Sequence, residues 1–239
     1  MSARALFISR ALFLGLLLVM CGATARAQST IFNIPSTDVM PEKKIYLEAD
    51  FIAHFDKYSK GGFQTYGYRM VYGVTRKLEA GVNFFYTRDG STSPKEVQFN
   101  AKYNLYENEK YGVGVSAGGW AFVPVNRSSG RRVTGMVFAN ASKKFSRLKG
   151  LRLTGGVYQM VNAERDSGSA RGFMLGVEQP IVGNLSFTGD WFSGNNKLGI
   201  VTAGFSYTFA TRHFIQIGYA WGNNGRGNNA FQAFYGVTF

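Results

Sequence analysis

The sequence predicts an all-β fold: a closed antiparallel, up-and-down transmembrane β-barrel of about 12 strands, formed by residues 44–239. Three observations carry that expectation. Segments near ten residues long alternate apolar with polar side chains at the two-residue period that sends successive side chains to opposite faces of a strand. The connections between them alternate between long and short. Past the first 27 residues, no stretch approaches the roughly 18 uninterrupted apolar residues of a membrane helix, so a membrane crossing by this chain has to use strands.

Residues 1–27 read as a cleaved secretory signal peptide. Arg4 and Arg10 supply positive charge, 11–23 is apolar, and Ala25-Arg26-Ala27 offers small residues for cleavage, leaving Gln28 as the new N-terminus. Cys21 raises a lipoprotein alternative, but Leu18-Val19-Met20 precedes it in place of a small residue. Cleavage removes the only cysteine, and with it any thiol for a disulfide, a metal or nucleophilic catalysis. It also removes three arginines and no acids, so the formal charge falls from +13 to +10, with 24 Lys and Arg against 14 Asp and Glu. On an exported chain that sign points to anionic lipopolysaccharide or anionic solutes rather than nucleic acid.

Residues 28–43, with Ile31-Phe32-Asn33-Ile34-Pro35 and Met40-Pro41, fall outside the alternation, and the prolines argue against a central strand. Two placements stay open: a periplasmic tail that caps one rim, and a short plug that enters the lumen.

The first strand, 45–55, sets Ile45, Leu47, Ala49, Phe51, Ala53 and Phe55 against Tyr46, Glu48, Asp50, Ile52 and His54. In 63–75, Tyr66, Tyr68, Met70 and Tyr72 oppose Thr65, Gly67, Arg69 and Gly73. The third, 78–87, sets Leu78, Ala80, Val82 and Phe84 against Glu79, Gly81 and Asn83; the fourth, 95–106, sets Val97, Phe99, Ala101 and Tyr103 against Glu96, Gln98, Asn100 and Lys102. The next two, 111–123 and 133–145, carry apolar residues on both faces, with Trp120, Phe122, Met136 and Phe138 opposite the oily rows, which leaves their facing open. Then 151–161 opposes Leu151, Leu153 and Val157 to Arg152, Thr154 and Tyr158, and 171–181 opposes Phe173, Leu175 and Val177 to Glu178, with Pro180 near its end. The last four are 185–192, 199–209, 213–222 and 230–239, where Val201, Ala203, Phe205 and Tyr207, then Ile217, Tyr219 and Trp221, form oily rows. Such lengths suit a tilted membrane strand of about 9–11 residues.

The connections 56–62, 88–94, 124–132, 162–170, 193–198 and 223–229 are long and rich in Gly, Ser, Asn and charge. Those at 76–77, 107–110, 146–150, 182–184 and 210–212 are short. An even strand count with short periplasmic turns and longer outside loops brings both termini to the periplasm. Lipid offers no hydrogen bonds to a strand edge, so the first strand has to pair with the last. The rival is a soluble sandwich or lipocalin-like barrel, which would turn the oily rows inward.

The last nine residues place Phe231, Ala233, Tyr235, Val237 and Phe239 on one face, and the chain stops on an aromatic ring. This resembles the closing strand of bacterial outer-membrane β-barrels. The resemblance implies an outer-membrane, porin-like location and a segment, Tyr235, Val237 and Phe239, that the barrel-assembly machinery reads.

The facing places Glu48, Asp50, Glu79, Glu96, Glu178 and Asp190 in the lumen with Arg69, Lys102 and Arg152. In an open lumen such charges set ion preference; in a closed one they pair with each other. Twelve strands lie between about eight, which side chains can fill, and the roughly 16–18 of open porins. A narrow passive channel for small hydrophilic solutes or ions is therefore expected, with a structural or adhesive barrel lacking an open pore as the alternative. The loop cations Lys57, Lys60, Arg88, Arg127, Arg131, Arg132, Arg165, Lys197 and Arg226 face outward, and Arg127, Arg131 and Arg132 are candidates for lipopolysaccharide phosphates.

Catalysis is not expected. A resemblance to outer-membrane phospholipases would require a His and a Ser in their characteristic local context, and neither His54 nor His213 has it. No metal-ligand or phosphate-binding motif occurs, so no cofactor or metal is expected.

Overall fold

The computed structural model describes residues 29–163, 168–225, 227 and 229–239. The expected signal peptide, Arg165 and Arg226 lie outside these residues. Twelve strands form in chain order: β1 (Ile45–His54), β2 (Phe63–Gly73), β3 (Leu78–Arg88), β4 (Lys95–Asn108), β5 (Val113–Pro124), β6 (Thr134–Phe145), β7 (Leu151–Val161), β8 (Arg171–Val182), β9 (Leu185–Phe192), β10 (Ile200–Phe209), β11 (His213–Gly222) and β12 (Ala230–Thr238). Each pairs antiparallel with the next, and β1 pairs with β12 to close the barrel. At the seam Leu47 lies opposite Val237 and Ala49 opposite Tyr235. The terminal residue completes it: the Phe239 amide donates to the Ile45 carbonyl at 2.8 Å, and the Ile45 amide donates back at 3.2 Å.

The oily rows face outward. Tyr68, Phe99, Phe173 and Phe205 are 61%, 54%, 63% and 52% exposed. Burying one such side chain is worth about 1.5–3 kcal/mol, so a wall of them is stable only where lipid covers it. This facing contradicts the soluble-barrel rival. Stacked Tyr207, Phe209, His213 and Tyr235 form an aromatic row near the short-turn rim, and Tyr219 packs on Trp221 near the loop rim, as amphipathic rings do at a membrane interface.

Two bulges adjust the wall. Register shifts between Asn104 and Tyr106, and the extra residue lets both Leu105 and Tyr106 face outward. The second shift, between Pro180 and Val182, falls where proline has no amide to give the ladder. The open facing of β5 and β6 resolves as well: Phe122, Met136 and Phe138 are buried inside, while Val137 is exposed outside.

Candidate functional site

The inner wall does not surround water alone. From Ile45 the chain leads back into the barrel: Pro41, Glu42 and Lys43 are exposed, and residues 29–40 meet side chains on opposite sides of the lumen, from Arg69 and Glu79 to Asn140, Arg152, Asp190 and Gln216. Ile31, Phe32, Ile34, Thr37 and Met40 are at most 2% exposed. Thr30 bridges Pro35, and the Ile31 amide donates to the Ile34 carbonyl at 2.9 Å, which makes a tight loop at the segment's deepest point.

A buried irregular backbone needs partners for its polar groups, because the penalty for an unpaired buried amide or carbonyl falls on the fold. The lumen side chains provide them. Asp190 on β9 accepts the amides of Phe32, Asn33 and Ile34 at 3.0, 2.5 and 2.8 Å. Asn140 on β6 donates to the Pro35 carbonyl at 2.6 Å, and Gln216 on β11 donates to the Ile31 carbonyl at 2.7 Å. Glu79 on β3 accepts the Met40 amide at 2.6 Å and the Ser29 hydroxyl. Lys102 on β4 lies 3.1 Å from Glu79 and donates to the Ser29 carbonyl at 2.7 Å. Arg152 on β7 grips both oxygens of Asp38 at 2.5 and 2.6 Å and reaches Thr37 Oγ1 at 2.6 Å, with Glu178 behind it at 3.7 Å.

Apolar contacts set the depth. Ile31 and Ile34 pack into a cluster with Phe122, Met136, Phe138, Tyr158, Met174 and Phe192. Two glycines make the seat: a Cβ on Gly176 would lie 2.4 Å from Ile31 Cδ1, and one on Gly218 would lie 2.6 Å from Phe32 Cζ.

Glu48 and Asp50 on β1 form a second group with Arg69 on β2. Arg69 donates to Glu48 at 2.7 Å and stands 3.7 Å from Asp50, while Tyr46 donates to the other Glu48 oxygen at 2.5 Å. Arg69 Nη1 also reaches Thr30 Oγ1 at 3.5 Å, linking the group to the segment. Glu96 does not join either set. It sits toward the loop rim, where Lys197 donates to it at 3.2 Å and Gln98 at 2.8 Å.

Above the segment, on the loop side, lies a cavity of about 280 Å³ with Phe32, Asn33, Asp50 and Arg69 among its lining residues and Phe63, Trp120 and Phe192 in its walls. Sequence reasoning missed Asp38, Asn140 and Gln216. The last two sit on inward rows beside the charges, and that register was the available signal.

Among the described residues, neither histidine meets a carboxylate. His54 Nδ1 lies 2.6 Å from the Asn229 carbonyl, and His213 Nδ1 lies 2.7 Å from the Tyr235 hydroxyl. Among the described residues no group of three or more His, Cys, Asp or Glu is placed to hold a metal ion. Arg127, Arg131 and Arg132 are exposed on the connection between β5 and β6.

No protein-family model matches the chain, and no curated protein matches it in sequence. Solved structures match in fold. The KdgM porin in complex with disordered oligogalacturonate aligns over 82% of this chain and 98% of its own, with a TM-score of 0.56 and 7% identity. The COG4313 outer membrane channel from Pseudomonas putida F1 aligns over 85% and 98%, with a TM-score of 0.56 and 15% identity. The fold is that of a bacterial outer-membrane barrel. Outer membrane phospholipase A from Escherichia coli also aligns, over 84% and 94%, with a TM-score of 0.48 and 11% identity. The exposed apolar belt and the aromatic rims are what an outer-membrane barrel requires of its outer wall.

Proposed function

We propose that the chain is an outer-membrane channel for small hydrophilic solutes or ions, closed in the conformation described by residues 29–43 acting as a plug. One observation carries this reading: the plug is held by a charged and polar inner wall. A barrel that stays filled is better served by apolar packing, since replacing buried ion pairs with well-packed apolar side chains is often neutral or stabilising. A lumen lined by Glu79, Lys102, Arg152 and Asp190 suits water and solutes once the plug leaves. The test is conductance in a planar bilayer. The full barrel should give rare, brief openings, and a barrel lacking residues 29–40 should give ohmic conductance. A folded, inserted deletion variant that stays silent would point instead to a structural or adhesive barrel.

That second reading has its own support in the apolar seat of Ile31 and Ile34, which resists displacement. A lipid-modifying enzyme has less, because a triad histidine stands between a serine and an acid, and among the described residues the Nδ1 atoms of His54 and His213 meet a carbonyl and a phenol instead of a carboxylate. Within the channel reading, Arg127, Arg131 and Arg132 serve lipopolysaccharide phosphates, and Tyr235, Val237 and Phe239 serve the barrel-assembly machinery.

A further inference from the structure

The outer wall carries a feature that the lumen does not explain. Across β4 to β7, in the half of the wall nearest the long connections, an apolar groove of about 620 Å³ opens toward lipid. The strand register shows how it forms. Phe99, Ala121, Gly135 and Val161 lie side by side on four neighbouring strands, all on lipid-facing rows, so two bulky side chains flank two positions with almost none. Small side chains continue down the middle strands, where Ala117 lies opposite Ala139 and Ala141 follows on β6. Gly135 to Ala141 spans about 20 Å of strand, enough to run through one leaflet of a hydrocarbon core about 30 Å thick. Apolar surface gains nothing from leaving water when lipid already covers it, so shape and headgroup charge decide what fills such a groove.

The groove's open end lies beside a cluster of positive charge. The connection 124–132 carries Arg127, Arg131 and Arg132 and no acid, and all three are exposed. Val133, which lines the groove, follows Arg132 directly. Lys95 begins β4 on the same outward row as Phe99, and it is exposed as well. The connection is fastened to that strand end: the Val125 amide donates to the Lys95 carbonyl at 2.9 Å, and the Lys95 amide donates to Asn126 Oδ1 at 3.1 Å. An occupant with an anionic head and an apolar tail meets both halves of the site. A second copy of the chain does not, because a two-fold contact here would bring each cationic connection against its twin.

We propose that this groove seats an acyl chain of one lipopolysaccharide molecule, whose lipid A phosphates rest on Arg131 and Lys95, as a bound lipid distinct from the general coat. The phosphates accept charge-assisted hydrogen bonds from the two cations, and the chain gains van der Waals contact that a flat wall would deny it. The headgroup half rests on the lipopolysaccharide contact of the channel reading. The acyl seat is additional and fails separately.

The test titrates the refolded full barrel in non-ionic detergent with diphosphoryl lipid A, then with phosphatidylglycerol, and reads bound lipid by native mass spectrometry. One lipid A should saturate first and bind more tightly than the phospholipid. Arg131→Glu and Lys95→Glu should each weaken it about fivefold or more, the scale of one basic residue at an anionic membrane surface. Ala121→Trp, which fills the groove and keeps every cation, should weaken it comparably, whereas Ala203→Trp, on the outward row of β10, should leave it unchanged. Equal affinity for the two lipids, full affinity in Ala121→Trp, an equal loss in Ala203→Trp, or a lipid-free dimer would overturn the proposal. If Ala121→Trp does not fold, Ala101→Phe fills the same groove from β4, and the two-lipid comparison in the unaltered barrel still decides. Binding lost in Arg131→Glu and kept in Ala121→Trp would leave the phosphate contact standing without the acyl seat. A barrel that binds lipid A here and never conducts would sink the channel reading alone.

Discussion

Arg152 on β7 holds Asp38 of the N-terminal segment through two parallel hydrogen bonds of 2.5 and 2.6 Å, across 114 residues of sequence. The fork matches guanidinium to carboxylate, and such bidentate pairs are stronger and more directional than neutral hydrogen bonds. Both side chains keep some solvent, at 17% and 24% exposure, so the pair is a latch of moderate strength.

Arg152→Ala should therefore loosen the plug without opening the wall. Cys21 belongs to the segment expected to be removed, so Ser36→Cys, at a position 1% exposed, places a lone thiol on the plug where the wall covers it. A lost charged hydrogen bond is worth about 1.5–3 kcal/mol, so maleimide labelling of that thiol should speed up on the order of tenfold or more when Arg152→Ala is added. Unchanged labelling would mean that the pair does not hold the segment.

Gly176→Val should expel the plug by shape alone. The new side chain would occupy the space of Ile31 Cδ1 and Ile34 Cδ1, and forced overpacking costs about 1–3 kcal/mol. Every polar contact of the wall stays intact. The Ser36→Cys thiol should label as fast as in the Arg152→Ala variant, while the folded barrel keeps its mobility on an unheated gel.

How much of this was legible follows from where the apolar residues fall. The twelve strands and the outward rows were readable because lipid on one face and polar groups on the other impose strict alternation, as in β1 and β4. The alternation failed at β5 and β6, and the structure gives the reason. Phe122, Met136 and Phe138 face inward because Ile31 and Ile34 press on them there, so a stretch apolar on both faces marked the seat of the plug. The inward charges were readable from their register. Their partners were not, because Asp38 and Arg152, or Ile34 and Asp190, meet only through closure of the whole barrel, and the two prolines of 29–43 exclude a strand without saying where the segment goes.

Removal of Phe239 should impair assembly and leave the lumen unchanged. It deletes both backbone hydrogen bonds to Ile45 at the seam, and a lipid-facing ring that is 56% exposed. An unpaired edge in lipid is costly, so the inserted fraction should fall several-fold, while the molecules that do insert keep the conductance of the full chain. A normal inserted fraction would remove the assembly role.

The connection after β3 should be sensitive to acid. Asp89 accepts the Thr92 hydroxyl and the amides of Ser91, Thr92 and Ser93, and these bonds hold its carboxyl well below the usual carboxylate range. A depressed folded-state value contributes order that is complete above the unfolded value of about 3.9 and is lost as pH falls below it. Amide exchange at Ser91, Thr92 and Ser93 should thus be protected at neutral pH and lose protection only in strong acid, and Asp89→Ala should abolish the protection throughout. Protection that survives Asp89→Ala would place its source elsewhere.

The most direct test of the plug is to lock it. Thr37 Oγ1 and Ser142 Oγ lie 2.6 Å apart, one on the segment and one on β6, so Thr37→Cys with Ser142→Cys brings two thiols within reach of a disulfide. In a planar bilayer the oxidised barrel should be silent, and adding a reductant to the same membrane should restore openings. Equal conductance before and after reduction, with the disulfide confirmed, would show that solutes pass without displacement of residues 29–43 and would contradict the account.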